Sequence, residues 1–145
     1  MPQSLASVTI HATFSTLDRS PWISDPPALH AYIGEISKQM ECQPIIVGGV
    51  ADHVHILAVL SRTVTIAGWI KEMKRVSSIH MKKQEPRFTW QSGYGAFSVG
   101  REQVEVVRAY IANQEAHHRT VDYQDEFRQI FVEHGIEWDE RYVWE

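Results

Sequence analysis

Two β-rich runs, Pro44 to Ala51 and His53 to Leu60, stand back to back with only Asp52 between them. Their β-branched, short-period composition reads as strands. A parallel pair needs a crossover of a dozen or more residues, so a connection this short makes an antiparallel hairpin the simplest arrangement. Gly48 and Gly49 interrupt the first run, which suggests a bulge or bend just before the turn. An antiparallel sheet is therefore the frame into which everything else must fit.

The rest of the chain supplies alternating elements around that hairpin. Val8 to Leu17 alternates polar and apolar residues and reads as a strand. Asp25-Pro26-Pro27 resembles a helix start, with Asp25 as cap and proline tolerated in the first turn. Leu29, Ile33, Ile36 and Met40 carry that helix to about Cys42. A second helix spans Thr65 to about Gln84 through Ile66, Ile70, Met73 and Ser77. Trp90 to Val99 holds a turn at Gly93-Tyr94-Gly95 and then a short strand. A helix from Arg101 to about His118 follows, then another from Tyr123 to His134, which stops at Gly135. The last residues form an aromatic tail with Trp138, Tyr142 and Trp144. This order predicts an α+β fold: a ferredoxin-like βαββαβ core whose antiparallel sheet is covered by helices, plus a C-terminal helix. No repeat or linker divides it, so residues 1–145 read as one domain.

Composition narrows the class. The 145 residues are 43% hydrophobic and 22% charged, with a formal net charge of −4. That charge argues against indiscriminate nucleic-acid binding but not against a local basic surface. Acidic residues gather late, from Asp122 to Glu145. Basic ones gather centrally at Lys71, Lys74, Arg75, Lys82, Lys83 and Arg87. No apolar stretch approaches the roughly 20 residues that span a bilayer. Met1 to Ser4 lacks the features of a secretory leader. Cys42 is alone, so no internal disulfide forms and a cytoplasmic setting is expected, without a membrane.

Two pairs of residues carry the chemistry. His53 and His55 alternate along one strand and so share a face. Tyr110 and Gln114, four apart on a helix, share a face as well. Two strand imidazoles can chelate a divalent ion, or can be half-buried histidines with satisfied hydrogen bonds. Asp52 can orient a ligand from behind or cap the turn. Tyr110 can be an edge-of-core phenol or a nucleophile assisted by a metal. Gln114 offers a carbonyl oxygen suited to a hard cation such as Mg²⁺ or Mn²⁺. Lys71, Lys74, Arg75, Ser78 and Lys82 form a stripe that is either a solvated helix face or a rail for phosphates. Trp90, Tyr94 or Phe97 can stack unpaired bases, with core packing the favoured role for Phe97.

Taken together, these residues resemble the single-tyrosine transposases of the HUH endonuclease superfamily, which include insertion-sequence and REP-associated tyrosine transposases. The resemblance runs from Ile10 to about Gln114. It covers Ile10 to Thr16, Asp52-His53-Val54-His55-Ile56-Leu57, Ile70-Lys71 to Lys74 with Ser77-Ser78, Trp90 to Val99, and Tyr110-Ile111-Ala112-Asn113-Gln114. It implies a ferredoxin-like, usually dimeric protein acting on single-stranded DNA with hairpin ends. By the same resemblance His53, His55 and Gln114 bind a divalent metal, Mg²⁺ or Mn²⁺. Tyr110 attacks the scissile phosphate, giving a 5′-phosphotyrosine link and a free 3′-hydroxyl that can later reseal. Leu17 stands where many relatives place a basic residue, and the C-terminal region is acidic. Those departures motivate an alternative: a domesticated protein of the same fold that binds structured DNA or RNA without cutting it. A metal-dependent hydrolase of small molecules ranks last, because it leaves the tyrosine and the basic stripe unexplained.

Overall fold

In the computed structural model, which describes residues 2–145, the two β runs close into a hairpin of β2 (Gln43–Val50) and β3 (His53–Val59). Val50 pairs with His53 across the turn at Ala51 and Asp52. The irregularity lies at Pro44 and Ile46, where proline has no N–H to give the ladder, and not at the two glycines. Gly48 and Gly49 stay in register and serve close approach instead. Gly49 has φ 142°, and a Cβ there would strike the backbone of His53 and Val54. Only glycine fits beside that histidine.

The first strand, β1 (Thr9–Ser15), pairs antiparallel with β3 and with the short β4 (Gly95–Ser98). The sheet order is β2-β3-β1-β4, the antiparallel order of a ferredoxin-like core. Trp90, ahead of the turn, makes an isolated bridge with Thr16.

Strand alternation gives the sheet two different faces. Ile10, Ala12, Phe14, Val54, Ile56 and Ala58 face the main core. That face is covered by α1 (Pro26–Gln39) and α2 (Ile66–Lys82), which pack Leu29, Ile33, Trp69, Ile70 and Met73 on it. Asp25 caps α1 by accepting from Ala28 N–H, and Thr65 caps α2 by accepting from Gly68 N–H. Trp69 is a core residue that the stripe through Ile66, Ile70 and Met73 did not include. Its indole donates to Ser37 Oγ at 2.9 Å.

The other face presents His11, Thr13, Ser15, His53 and His55, all buried. Over it lie α3 (Val104–Ala112), α4 (Gln114–His117) and α5 (Tyr123–Glu133). The helix expected from Arg101 to His118 is thus divided. Arg101–Gln103 is a 3-10 turn, and Asn113 breaks regular geometry at φ −101°, ψ 21°. The Asn113 N–H reaches the carbonyls of both Ala109 and Tyr110, which tightens that turn. Phe97, Tyr123, Phe127, Ile130 and Phe131 form a second apolar cluster that seats α5. Among the described residues no helix is long and apolar enough to cross a membrane.

Candidate active site

Gly48 is what lets α3 reach the polar face of the sheet. A Cβ at Gly48 would lie 2.6 Å from the Ile111 carbonyl oxygen and 2.7 Å from its Cγ2. Gly48 pairs with His55 in the ladder, so the helix descends beside the histidine pair. Tyr110 and Gln114 flank Ile111 on either side of the Asn113 break, and both turn toward the histidines.

His53 and His55 are fully buried. Asp52 Oδ1 lies 2.7 Å from His53 Nδ1, which fixes the proton there and turns Nε2 inward. That Nε2 lies 3.1 Å from Gln114 Oε1. His11 Nε2 and His55 Nδ1 share a hydrogen bond of 2.8 Å, so His11 orients the His55 ring from behind. Sequence reasoning missed His11. Its signal was available, because positions 11, 53 and 55 are all polar interruptions of strands facing one side.

Glu126 is the second omission and the centre of the arrangement. It is 2% exposed. Its Oε1 accepts from His55 Nε2 at 2.8 Å and lies 3.5 Å from His53 Nε2. Its Oε2 accepts from Gln114 Nε2 at 3.0 Å and from the Tyr110 hydroxyl. His117 and His118 bring Nε2 atoms to 3.2 and 3.1 Å of Oε2, without aligning to it as hydrogen bonds. The five named residues His53, His55, Tyr110, Gln114 and Asp52 are therefore brought into one site, joined by four the motifs did not indicate: His11, Glu126, His117 and His118. No spacing rule tied Glu126 to them, since its helix looked like an ordinary amphipathic one.

Electrostatics follow from burial and from that carboxylate. Burial disfavours the charged form of His55, against the pull of Glu126. His11 is pushed down to about 3 by burial and by its neighbour His55. Burial opposes ionisation of Glu126, but contacts with His118 and His55 outweigh it and hold the carboxyl well below its usual range. Burial would lower His118, yet Glu126 leaves it net raised. The Tyr110 phenol is pushed up by burial and by the charge of Glu126.

The donor set suits a divalent ion. His53, His55, His118 and Glu126 each present one ligating atom, all within 4.8 Å of one another. Gln114 Oε1 faces the same space through His53. Imidazole nitrogens beside a carboxylate and an amide oxygen form a mixed donor set for a divalent ion. The buried Nε2 atoms of His117 and His118 lack hydrogen-bond partners, as donors awaiting a ligand would.

The proposed nucleic-acid residues lie on and beside α2. Lys71, Lys74, Arg75, Ser78 and Tyr94 line one open hollow of about 340 Å³, floored by Ile70 and Trp90. Lys82 lies further along the helix and does not line it. Arg75 is engaged with Glu72 at 2.6 and 3.0 Å. Lys74 pins the neighbouring loop, because its Nζ donates to the carbonyls of Gln91, Gly93 and Ser92 at 2.7, 2.8 and 3.3 Å. Burial lowers its ammonium to about 8.

The sheet thus buries His53 and His55 beneath a segment in which Tyr110 and Gln114 stand on either side of the Asn113 break. The chain belongs to the IS200-like transposase family, whose model matches residues 4–114. Among curated proteins no sequence matches. The fold is similar to that of a protein from Deinococcus radiodurans R1 assigned as a transposase, with TM-score 0.63 and 19% identity. That alignment covers 79% of this chain and 95% of the other. It is also similar to a REP-associated tyrosine transposase bound to a REP hairpin, with TM-score 0.63 and 13% identity, covering 83% and 74% of the two chains. Glu126, His117 and His118 lie beyond the residues matched by the family model.

Proposed function

We propose that this transposase cleaves and rejoins single-stranded DNA through Tyr110, with a divalent ion held by His53, His55 and Gln114. The supporting observation is the convergence of these four residues, from β3, α3 and α4, on one carboxylate. In the reaction the Tyr110 oxygen bonds to the scissile phosphorus, and the bond from phosphorus to the 3′-oxygen breaks. The phenol gives up its proton and the departing 3′-oxygen gains one. The 5′-phosphotyrosine conserves the phosphodiester, so a 3′-hydroxyl can attack it and reseal the strand without ATP. A bound ion, Mg²⁺ or Mn²⁺, supplies charge stabilisation at the phosphate oxygens. Asp52 and His11 hold the two imidazoles in position. Lys71, Arg75, Ser78, Lys82 and Tyr94 are the proposed contacts to the strand, with Lys74 shaping the loop beneath them.

Hairpin-ended DNA is the proposed substrate, by analogy with the REP-associated relative that binds such a hairpin. A homodimer is the proposed working form. Incubation with a hairpin-bearing single strand and Mn²⁺ is expected to give a detergent-resistant protein–DNA adduct. Tyr110→Phe is expected to give none. An adduct that persists in the phenylalanine variant, or its absence from the natural protein across cognate hairpins, overturns the reading.

A further inference from the structure

We propose that Glu126 is itself a ligand of the divalent ion, so that α5 completes a metal site that the matched family segment leaves open. This rests on the reading that His53 and His55 hold such an ion. Glu126 lies outside residues 4–114, so the site draws on this chain's C-terminal third.

Charge is the first reason. Glu126 is a buried carboxylate, and its ion-pair partners among the described residues are all histidines: His53, His55, His117 and His118. Buried charges are paired or coordinate metals, because uncompensated burial is costly. A divalent cation among these nitrogens pairs with the carboxylate and takes up the lone pairs of the histidines at the same time.

Geometry is the second. Oε1 faces the inward nitrogens of both strand histidines, at 2.8 and 3.5 Å. Its placement is imposed by residues on either side of it along α5. Asp122 caps the helix by accepting from Asp125 N–H at 2.8 Å. The Tyr123 hydroxyl lies 3.3 Å from Thr13 Oγ1 on the sheet. Phe127 packs against Gly95, where a Cβ would collide with its ring. With positions 122, 123 and 127 fixed, the side chain of Glu126 is aimed at the histidine pair by a rigid element.

The two oxygens divide the work. Oε1 is the ligating atom, and Oε2 remains the acceptor that holds Tyr110 and Gln114. Glu126 thereby ties the position of the nucleophile to that of the ion.

The test is Mn²⁺ binding to the full chain without DNA, followed by electron paramagnetic resonance. E126Q, which keeps volume and removes charge, is expected to weaken Mn²⁺ binding by more than about 100-fold, beyond the roughly 10- to 100-fold that losing a partner behind a ligand costs. H53A, the control for the underlying reading, is expected to lose binding. If H53A loses Mn²⁺ while E126Q titrates like the natural protein, this inference is overturned and the histidine site stands. If the natural protein does not bind Mn²⁺, or H53A binds unchanged, both readings fail. Should E126Q not fold by circular dichroism, E126D carries the test. A changed spectrum of bound Mn²⁺ is expected there, and an unchanged one overturns the proposal.

Discussion

Tyr110 donates its phenolic hydrogen to Glu126, a residue 16 positions later and on the far side of the Asn113 break. The contact holds the phenol against the histidine pair, since the other oxygen of the same carboxylate accepts from His55. It also disfavours the phenolate, because an anion beside the hydroxyl raises its pKa. Replacing Glu126 by Gln removes the negative charge while keeping an acceptor. In metal-free protein the Tyr110 ring should then titrate at lower pH than in the natural chain. Tyrosine Cζ labelling with NMR detection reads this directly, and an unchanged titration would contradict the assigned electrostatic role.

Gly48→Ala tests whether α3 owes its position to a missing side chain. The new methyl would meet the Ile111 carbonyl at 2.6 Å, with backbone rather than a flexible side chain in the way. Overpacking of this kind costs about 1–3 kcal/mol. Urea unfolding should show that loss, and adduct formation should fall because Tyr110 and Gln114 move with Ile111. Stability and cleavage both equal to the natural protein's would exclude the close approach.

Lys74 and Lys71 sit three residues apart on α2 and should behave differently. Lys74→Met leaves three carbonyls without their shared donor, at a cost of about 1–3 kcal/mol. Lys71 is exposed. Its replacement by Ala should change stability by no more than about 0.5 kcal/mol. It should also reduce the salt slope of single-strand binding by about 1. Thermal unfolding and fluorescence anisotropy over a salt series separate the two roles.

Acid should destabilise the metal-free protein. His11 and His30 ionise at about 3 and 4 in the fold, against 6.5 when unperturbed. Between those values the unfolded chain binds protons that the native chain refuses, so stability falls as pH drops below 6.5. Glu126 acts in the same sense: its depressed value gives stability above the ordinary carboxylate pKa of 4.5 that is lost on acidification. His118 opposes, since its raised value favours the fold at low pH. Between pH 7 and pH 4.5 the lowered His11, His30 and His55 act against the raised His118, so Tm should decline over that range, with Glu126 adding its loss below 4.5, and His30→Asn should flatten the decline. A Tm that rises on acidification would refute this balance.

How much of this was legible depends on the range of each interaction. The hairpin, the helix capped at Asp25 and the facing of His53 with His55 follow from local spacing, and all appear as read. The uniform helix through Tyr110 and Gln114 did not. Asn113 breaks it, yet both side chains still reach the histidines. Lys74 looked like one more phosphate contact, but its carbonyl partners lie 17 to 19 residues ahead in a loop with no pattern of its own.

By itself the sequence determined the sheet, its helical cover and the identity of the two pairs, because alternation and helical repeat are local properties of a chain. Tertiary structure alone decided that the pairs meet, through the space left at Gly48, and that Glu126 stands between them. A carboxylate 71 residues from His55 carries no periodic signature. Its role arises only when α5 packs Phe127 against Gly95 and turns that one side chain into the buried face of the sheet.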